Sequence, residues 1–209
     1  CWTGKMDLIR RFWEKIVSLA DFPLKDCFRH PSGLLCNRRE YWERHRAFGI
    51  TDGCELAHQV FVTLGLEAVA DLARSIGKAD RAKGWEKEAA RLKSAVLEHP
   101  RFRLIDKRGF IKRRTAGGEV QETIDPLPEA NLPEGVPLAL FSPHYLNPDT
   151  SAALPIALGF VSPESRTARS TMNSLEKLWN LGWETGGYGR YHTSSEPDSP
   201  GAWPFPSLF

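Results

Sequence analysis

Two helical periods of opposite character lie side by side in this chain, and they constrain its fold more than any other feature. From Thr51 to Ile76, the residues Leu56, Val60, Phe61, Val62, Leu64, Leu66, Val69 and Leu72 make a segment that is apolar on most sides. A helix with that pattern has to be surrounded by protein. A few residues on, Asp80 opens a second period in which Ala82, Trp85, Ala89, Leu92 and Val96 form one stripe, with Lys, Arg and Glu on the opposite face. Thr51 and Asp52 offer capping side chains for the first helix, and Gly77 is its stop signal. The short connection predicts an αα-hairpin in which the outer helix shields the inner one from water.

The rest of the chain extends the same theme. Met6, Ile9, Phe12, Trp13, Ile16, Val17 and Ala20 recur at helical spacing, which predicts a helix over 4–20 with one buried stripe. Short β-like pieces around DKRG and AGG fall within 101–124, and a Pro-rich loop spans 125–149, where Asn147 and Asp149 suit a turn or helix cap. In SPES, 162–165, Ser162 as cap and Pro163 in the first turn start a helix carrying Ala168, Met172, Leu175 and Trp179 on one face. The expected class is all-α with a small β-hairpin excursion. The chain opens at Cys1 and closes on WPFPSLF, which resembles the first turn of a further helix. Residues 1–209 are therefore expected to be a single incomplete domain, cut at both ends.

Charge and motif spacing exclude several classes. Lys and Arg (28) nearly balance Asp and Glu (26), so no nucleic-acid partner is expected, and the basic run RGFIKRR reads as a solvated hairpin edge. No apolar run approaches the ~18 residues of a membrane span, so no membrane association is expected either. Cys1, Cys27, Cys36 and Cys54 lack C-x-x-C spacing and read as four scattered thiols, not a zinc site or a disulfide scaffold. The six histidines lack metal-ligand spacing, and ETGGYGR departs from the dinucleotide-binding fingerprint, so neither a metal nor a cofactor is expected. His58, inside the apolar helix, reads as a satisfied core residue.

The chemistry-bearing stretch is NRREYWERHRAFGITDG, 37–53, which leads into the inner helix. Taken alone, its Glu40 and Glu43 among Arg38, Arg44 and neighbouring cations read as solvated ion pairs. The order of motifs says more. YWERHRAFG is followed by the inner and outer helices, then by PDTSAALPIALGFVSPESR, then by GGYGRYHTSSEPDSPGAWPFPSLF. From about residue 37 onward this order resembles the central part of a glucoamylase-type glycosidase, of the kind in glycoside hydrolase family 15, built on the six-hairpin (α/α)6 toroid.

The resemblance implies a partial toroid and an inverting hydrolase of α-glucosidic bonds in oligosaccharides or polysaccharides. Such an enzyme needs a carboxylic acid to protonate the leaving oxygen and a carboxylate to activate water, about 6.5–9.5 Å apart. Glu43, directly after Trp42, matches the family's general acid, and an aromatic neighbour raises an acid's pKa and offers the sugar a face. Arg190 and Tyr191 match the family's sugar-contacting arginine and its neighbour, a guanidinium fork suiting adjacent hydroxyls. The chain departs from the pattern at Arg44, where many relatives carry a second Glu, and at His192, Thr193 and Ser194, which replace acidic residues; Glu196 is their nearest substitute. Trp183, Tyr188 and Trp203 are candidate sugar platforms. The general base would lie in a later loop beyond Phe209, with Glu184 and Glu196 the only candidates inside the C-terminal loop. Trehalases and disaccharide phosphorylases share the architecture, and a non-catalytic helical-hairpin scaffold binding carbohydrate or protein would share the helices.

Overall fold

A computed structural model describes residues 6–37, 52–124, 144–179 and 188–189. Among these, helices dominate and the strands are short. In chain order the elements are α1 (Met6–Arg11), α2 (Trp13–Asp21), β1 (Gly53–Glu55), α3 (Leu56–Ser75), α4 (Ala79–Glu98), β2 (Ile105–Asp106), β3 (Gly109–Phe110), β4 (Arg113–Thr115), β5 (Thr123–Ile124), β6 (His144–Tyr145), α5 (Leu154–Ala157) and α6 (Arg166–Leu175).

The expected αα-hairpin is α3 and α4. Gly77 carries the chain between them at φ +82°, a backbone state that glycine adopts without steric cost. The outer helix buries the stripe read from the sequence, Ala82, Trp85, Ala89, Leu92 and Val96, and adds Ala95. Arg74 of α3 pairs with Glu86 of α4 across the turn. By length and composition α3 could cross a membrane, contrary to the expectation that no run is long enough. Burial accounts for Leu56, Ala57, Val60, Leu66, Ala70 and Ala73, whereas Phe61, Val62, Val69 and Leu72 are only half-buried, so among the described residues the helix is not surrounded on all sides as expected.

Helix α2 lies across this pair, and Trp85 is the anchor. Its indole nitrogen donates to Asp21 at 2.9 Å, and its ring meets Trp13 edge-on at 5.8 Å. Arg81 stacks over Trp85 and pairs with Asp21. The single helix expected over 4–20 bends at Phe12, where ψ rises to 12°. Phe12 N still donates to Leu8 O and Ile16 N to Phe12 O, both at 3.0 Å, so one helical path continues through the bend. Between α2 and α3 lies an open apolar groove of about 440 Å³, walled by Ile16, Leu19 and Pro23 on one side and Phe61, Val62 and Val69 on the other. This is the face of the inner helix that α4 does not cover.

Three expectations are corrected. Thr51 and Asp52 do not begin the inner helix: Gly53–Glu55 is extended and pairs antiparallel with β4, and the helix starts at Leu56, whose N–H donates to Lys112 O at 2.8 Å. RGFIKRR is a hairpin segment but not a solvated one, since Lys112 and Arg113 are among the largest fully buried side chains. The last helix is capped by Ser165, which accepts from Ala168 N at 3.1 Å, and Ser162 instead holds the preceding turn through Glu164 N. Counted from Ser165, the buried face is Ala168, Thr171 and Leu175, which leaves Met172 partly exposed and Trp179 beyond the helix end.

The turn between β2 and β3 falls on DKRG as expected, and β3 packs on α6. Phe110 N donates to Thr171 Oγ1 at 2.8 Å, and Gly109, at φ +104°, lies so close to Thr171 that any side chain there would collide with it. The cap assigned to Asp149 is borne out: its side chain accepts from Ser151 N and opens a 3₁₀ turn, Thr150–Ala153, that runs into α5.

Candidate functional site at the N-terminal end of the inner helix

The entry to α3 is where β1, β4 and the segment ending at Asn37 meet, and it is polar inside. β1 pairs with β4 in the register Gly53↔Thr115, Cys54↔Arg114 and Glu55↔Arg113. Direct opposition puts the last two side chains on one face, and the Arg113 guanidinium lies 3.2 Å from the Glu55 carboxylate with both fully buried. Arg113 also donates to Asn37 O at 2.7 Å and to Gln121 Oε1 at 3.2 Å. One residue earlier, Lys112 reaches the other way and donates to Asp149 Oδ2 at 2.7 Å, again with both groups buried. Burying four charges is costly, and only pairing with hydrogen-bonded partners makes it tolerable.

The uncharged groups of this layer are equally committed. Gln59, one turn into α3, clasps the backbone of Leu35: Leu35 N donates to its Oε1 at 2.9 Å, and its Nε2 donates to Leu35 O at 2.8 Å. Asn37 Nδ2 lies 2.8 Å from His58 Nδ1, so His58 is half-buried and partnered at the rim of the layer. Asn147 Oδ1 accepts from Lys112 N at 2.9 Å.

Two thiols that the sequence leaves scattered meet here. Cys36 and Cys54 hydrogen-bond to each other. The hydrogen bond from Cys54, helped by the nearby Arg113, holds the Cys36 thiol down to about 7 against the opposing effects of burial and Asp52. The same hydrogen bond, together with burial, pushes Cys54 upward. Among the described residues no three His, Cys, Asp or Glu side chains converge as metal ligands.

Trp42, Glu43, Arg190, Tyr191, Glu196 and Trp203 lie outside the described residues, as do Glu40, Trp183 and Glu184. The described flanks of their segments can be traced. The 38–52 stretch leaves and returns at one point, because Asn37 N donates to Gly53 O and Gly53 N to Asn37 O, each at 2.9 Å. The residues before Arg190 are tied down as well: Gly189 N donates to Leu178 O at 2.8 Å, and Tyr188 meets Trp179 edge-on at 5.0 Å. Tyr188 packs with Ala153, Leu175 and Leu178, and with Thr150 it lines a small apolar cavity of about 170 Å³. Its hydroxyl donates to Glu176 at 2.8 Å, and that bond, with burial, raises its pKa. Thr150 follows Asp149, the partner of Lys112. The second flank is thus anchored at the end of α6, beside the Thr150–Ala153 turn that follows Asp149.

Sequence reasoning missed the framework of that layer, Glu55, Lys112, Arg113 and Asp149. Glu55 sits inside an apolar run and Lys112–Arg113 inside a basic one; only the strand pairing reveals that they are partners. No protein-family model matches this chain, and comparison with curated proteins and with solved structures finds no match either.

Proposed function

We propose that this chain carries part of an inverting glycosidase of the glucoamylase type, acting on α-glucosidic bonds of oligosaccharides or polysaccharides. Within it, Glu43 protonates the leaving oxygen beside Trp42. Arg190, Tyr191, Glu196 and Trp203 bind the sugar. The partial (α/α)6 toroid belongs to the same proposal, of which the α3–α4 hairpin is one unit.

The observation that carries it is the shared footing of two segments far apart in sequence. The stretch bearing Trp42 and Glu43 is anchored at Asn37 and Gly53, and the stretch bearing Arg190 and Tyr191 starts from Tyr188 and Gly189. The first anchor belongs to the layer around the entry of α3 through Arg113, and the second packs on Ala153, in the turn that follows Asp149, the partner of Lys112. An acid and a sugar-binding fork have to meet at one mouth, and a protein-binding helical scaffold has no such requirement.

Calorimetric titration of the purified protein with maltose, maltotriose and trehalose tests the reading. Saturable binding of the α-1,4-linked sugars, weakened by Arg190→Lys, is expected. Where turnover is detected, proton NMR should show the β-anomer of glucose released first, as inversion demands. Selective binding of trehalose would favour the trehalase type, and absence of binding to every sugar would leave the non-catalytic scaffold.

A further inference from the structure

We propose that Cys36 and Cys54 are a dithiol pair that closes, on oxidation by a peroxide, into a disulfide linking the two strands at the entry of α3. The geometry starts from the backbone. Asn37 and Gly53 exchange both of their hydrogen bonds, each at 2.9 Å, which makes them a hydrogen-bonded antiparallel pair. The next pair along is Cys36 opposite Cys54, and in an antiparallel ladder it must be a non-hydrogen-bonded pair. Such pairs hold their Cα atoms about 4.5 Å apart with both side chains on one face. A disulfide spans Cα separations of about 4.4–6.8 Å, a range that includes this spacing. The two thiols already interact through a side-chain hydrogen bond.

The surroundings divide the two roles. Cys36 is half-buried and reachable from solvent, whereas Cys54 is fully buried. Arg113 stabilises a thiolate at Cys36, and Asp52 opposes it. The thiolate is the nucleophile in such chemistry. Cys36 attacks one oxygen of hydrogen peroxide, the O–O bond breaks, and the departing hydroxide takes a proton to become water. Cys36 is then a sulfenic acid. The Cys54 sulfur attacks it, the S–O bond breaks, and the hydroxyl leaves with the Cys54 proton as a second water. Two thiols have lost two electrons and two protons, and one peroxide has become two waters. A thiol reductant reverses the step by exchange. The negative charge on Cys36 is one of the groups that keeps Cys54 protonated, so the first oxidation also removes an obstacle to the second.

The covalent ring so formed encloses residues 37–53, and it constrains the unfolded chain more than the folded one. A ring of this size is expected to raise the melting temperature by roughly 6–12 °C in a chain of this length. This inference stands apart from the glycosidase proposal, since its readout involves no sugar.

The test uses the Cys1→Ser/Cys27→Ser double variant, treated with equimolar hydrogen peroxide under native conditions, digested with trypsin and mapped without reduction. The expected product joins peptide 30–38 to peptide 47–74, lighter by two hydrogens and separated again by dithiothreitol, together with the rise in melting temperature. Adding Cys36→Ser or Cys54→Ser should abolish both. A map in which Cys36 ends as a sulfinic acid while Cys54 stays a free thiol overturns the proposal. So does a covalent dimer, or a linked product whose melting temperature does not rise.

Discussion

Arg113 and Glu55 face each other across β4 and β1, guanidinium 3.2 Å from carboxylate, with neither side chain reached by water. Glu55→Leu is expected to destabilise the fold by about 3–5 kcal/mol, because the buried Arg113 charge loses this carboxylate. The double replacement Glu55→Leu/Arg113→Met should cost less than the sum of the two single changes. Urea unfolding of the four proteins checks this, and strict additivity would mean that the two groups do not act as a pair.

The cap of α6 offers a direct comparison. Ser165→Ala removes the side-chain acceptor of Ala168 N and should cost about 1 kcal/mol. Ser162→Ala, which touches only the turn before the helix, should cost less. Thermal melts of the two variants decide between the cap read from the sequence and the cap found.

Cys36 should report its own titration. With its thiol held from an ordinary 9.0 down to about 7, the thiolate fraction, and with it the rate of alkylation by iodoacetamide, should rise about tenfold per pH unit below 7 and level off above about pH 8. The sign follows from the cause: a group whose charged form is stabilised reacts at lower pH. Cys54→Ser alters the hydrogen bond chiefly responsible, so the inflection should move. Rates are measured with Cys1 and Cys27 replaced by Ser, and an inflection that stays near 9 in the parent would contradict the hydrogen bond.

Under the glycosidase proposal, Glu43→Gln keeps the shape of the acid and removes its proton. The loss should fall on kcat, by something like 10²–10⁴-fold for substrates with poor leaving groups. Arg190→Lys keeps the charge and loses the fork, so it should act chiefly on sugar binding. Steady-state kinetics on maltotriose, in a protein that also supplies the general base, separate the two effects, and equal effects on both parameters from both changes would argue against the assigned roles.

Periodicity read well where one residue face meets one environment. The inner and outer helices and the Gly77 stop were legible because their stripes are long and each position has a single role. The entry to α3 was not legible, because Gly53–Glu55 belongs to a strand whose partner lies about sixty residues on, and local caps at Thr51 and Asp52 compete with a pairing that no short window contains. Lys112 and Arg113 misled for a related reason. A basic run reads as surface unless its acidic partners, here Asp149 and Glu55, are known to fold back on it. Trp42, Glu43, Arg190, Tyr191, Glu196 and Trp203 rest on motif order alone.

The doubled hydrogen bond between Asn37 and Gly53 makes that junction a splice point. The stretch 38–51 enters and leaves at a single doorway, ahead of Asp52, whose carbonyl accepts from Ala116 N at 2.9 Å, and the cost of closing a loop rises only slowly with its length. Longer, shorter or wholly different inserts could be exchanged there while Glu55 and Arg113 keep α3 in register behind the junction. A chain built this way can change what its loop recognises without renegotiating its core, and a library of inserts grafted between Asn37 and Gly53 would have a fixed stage on which to be screened.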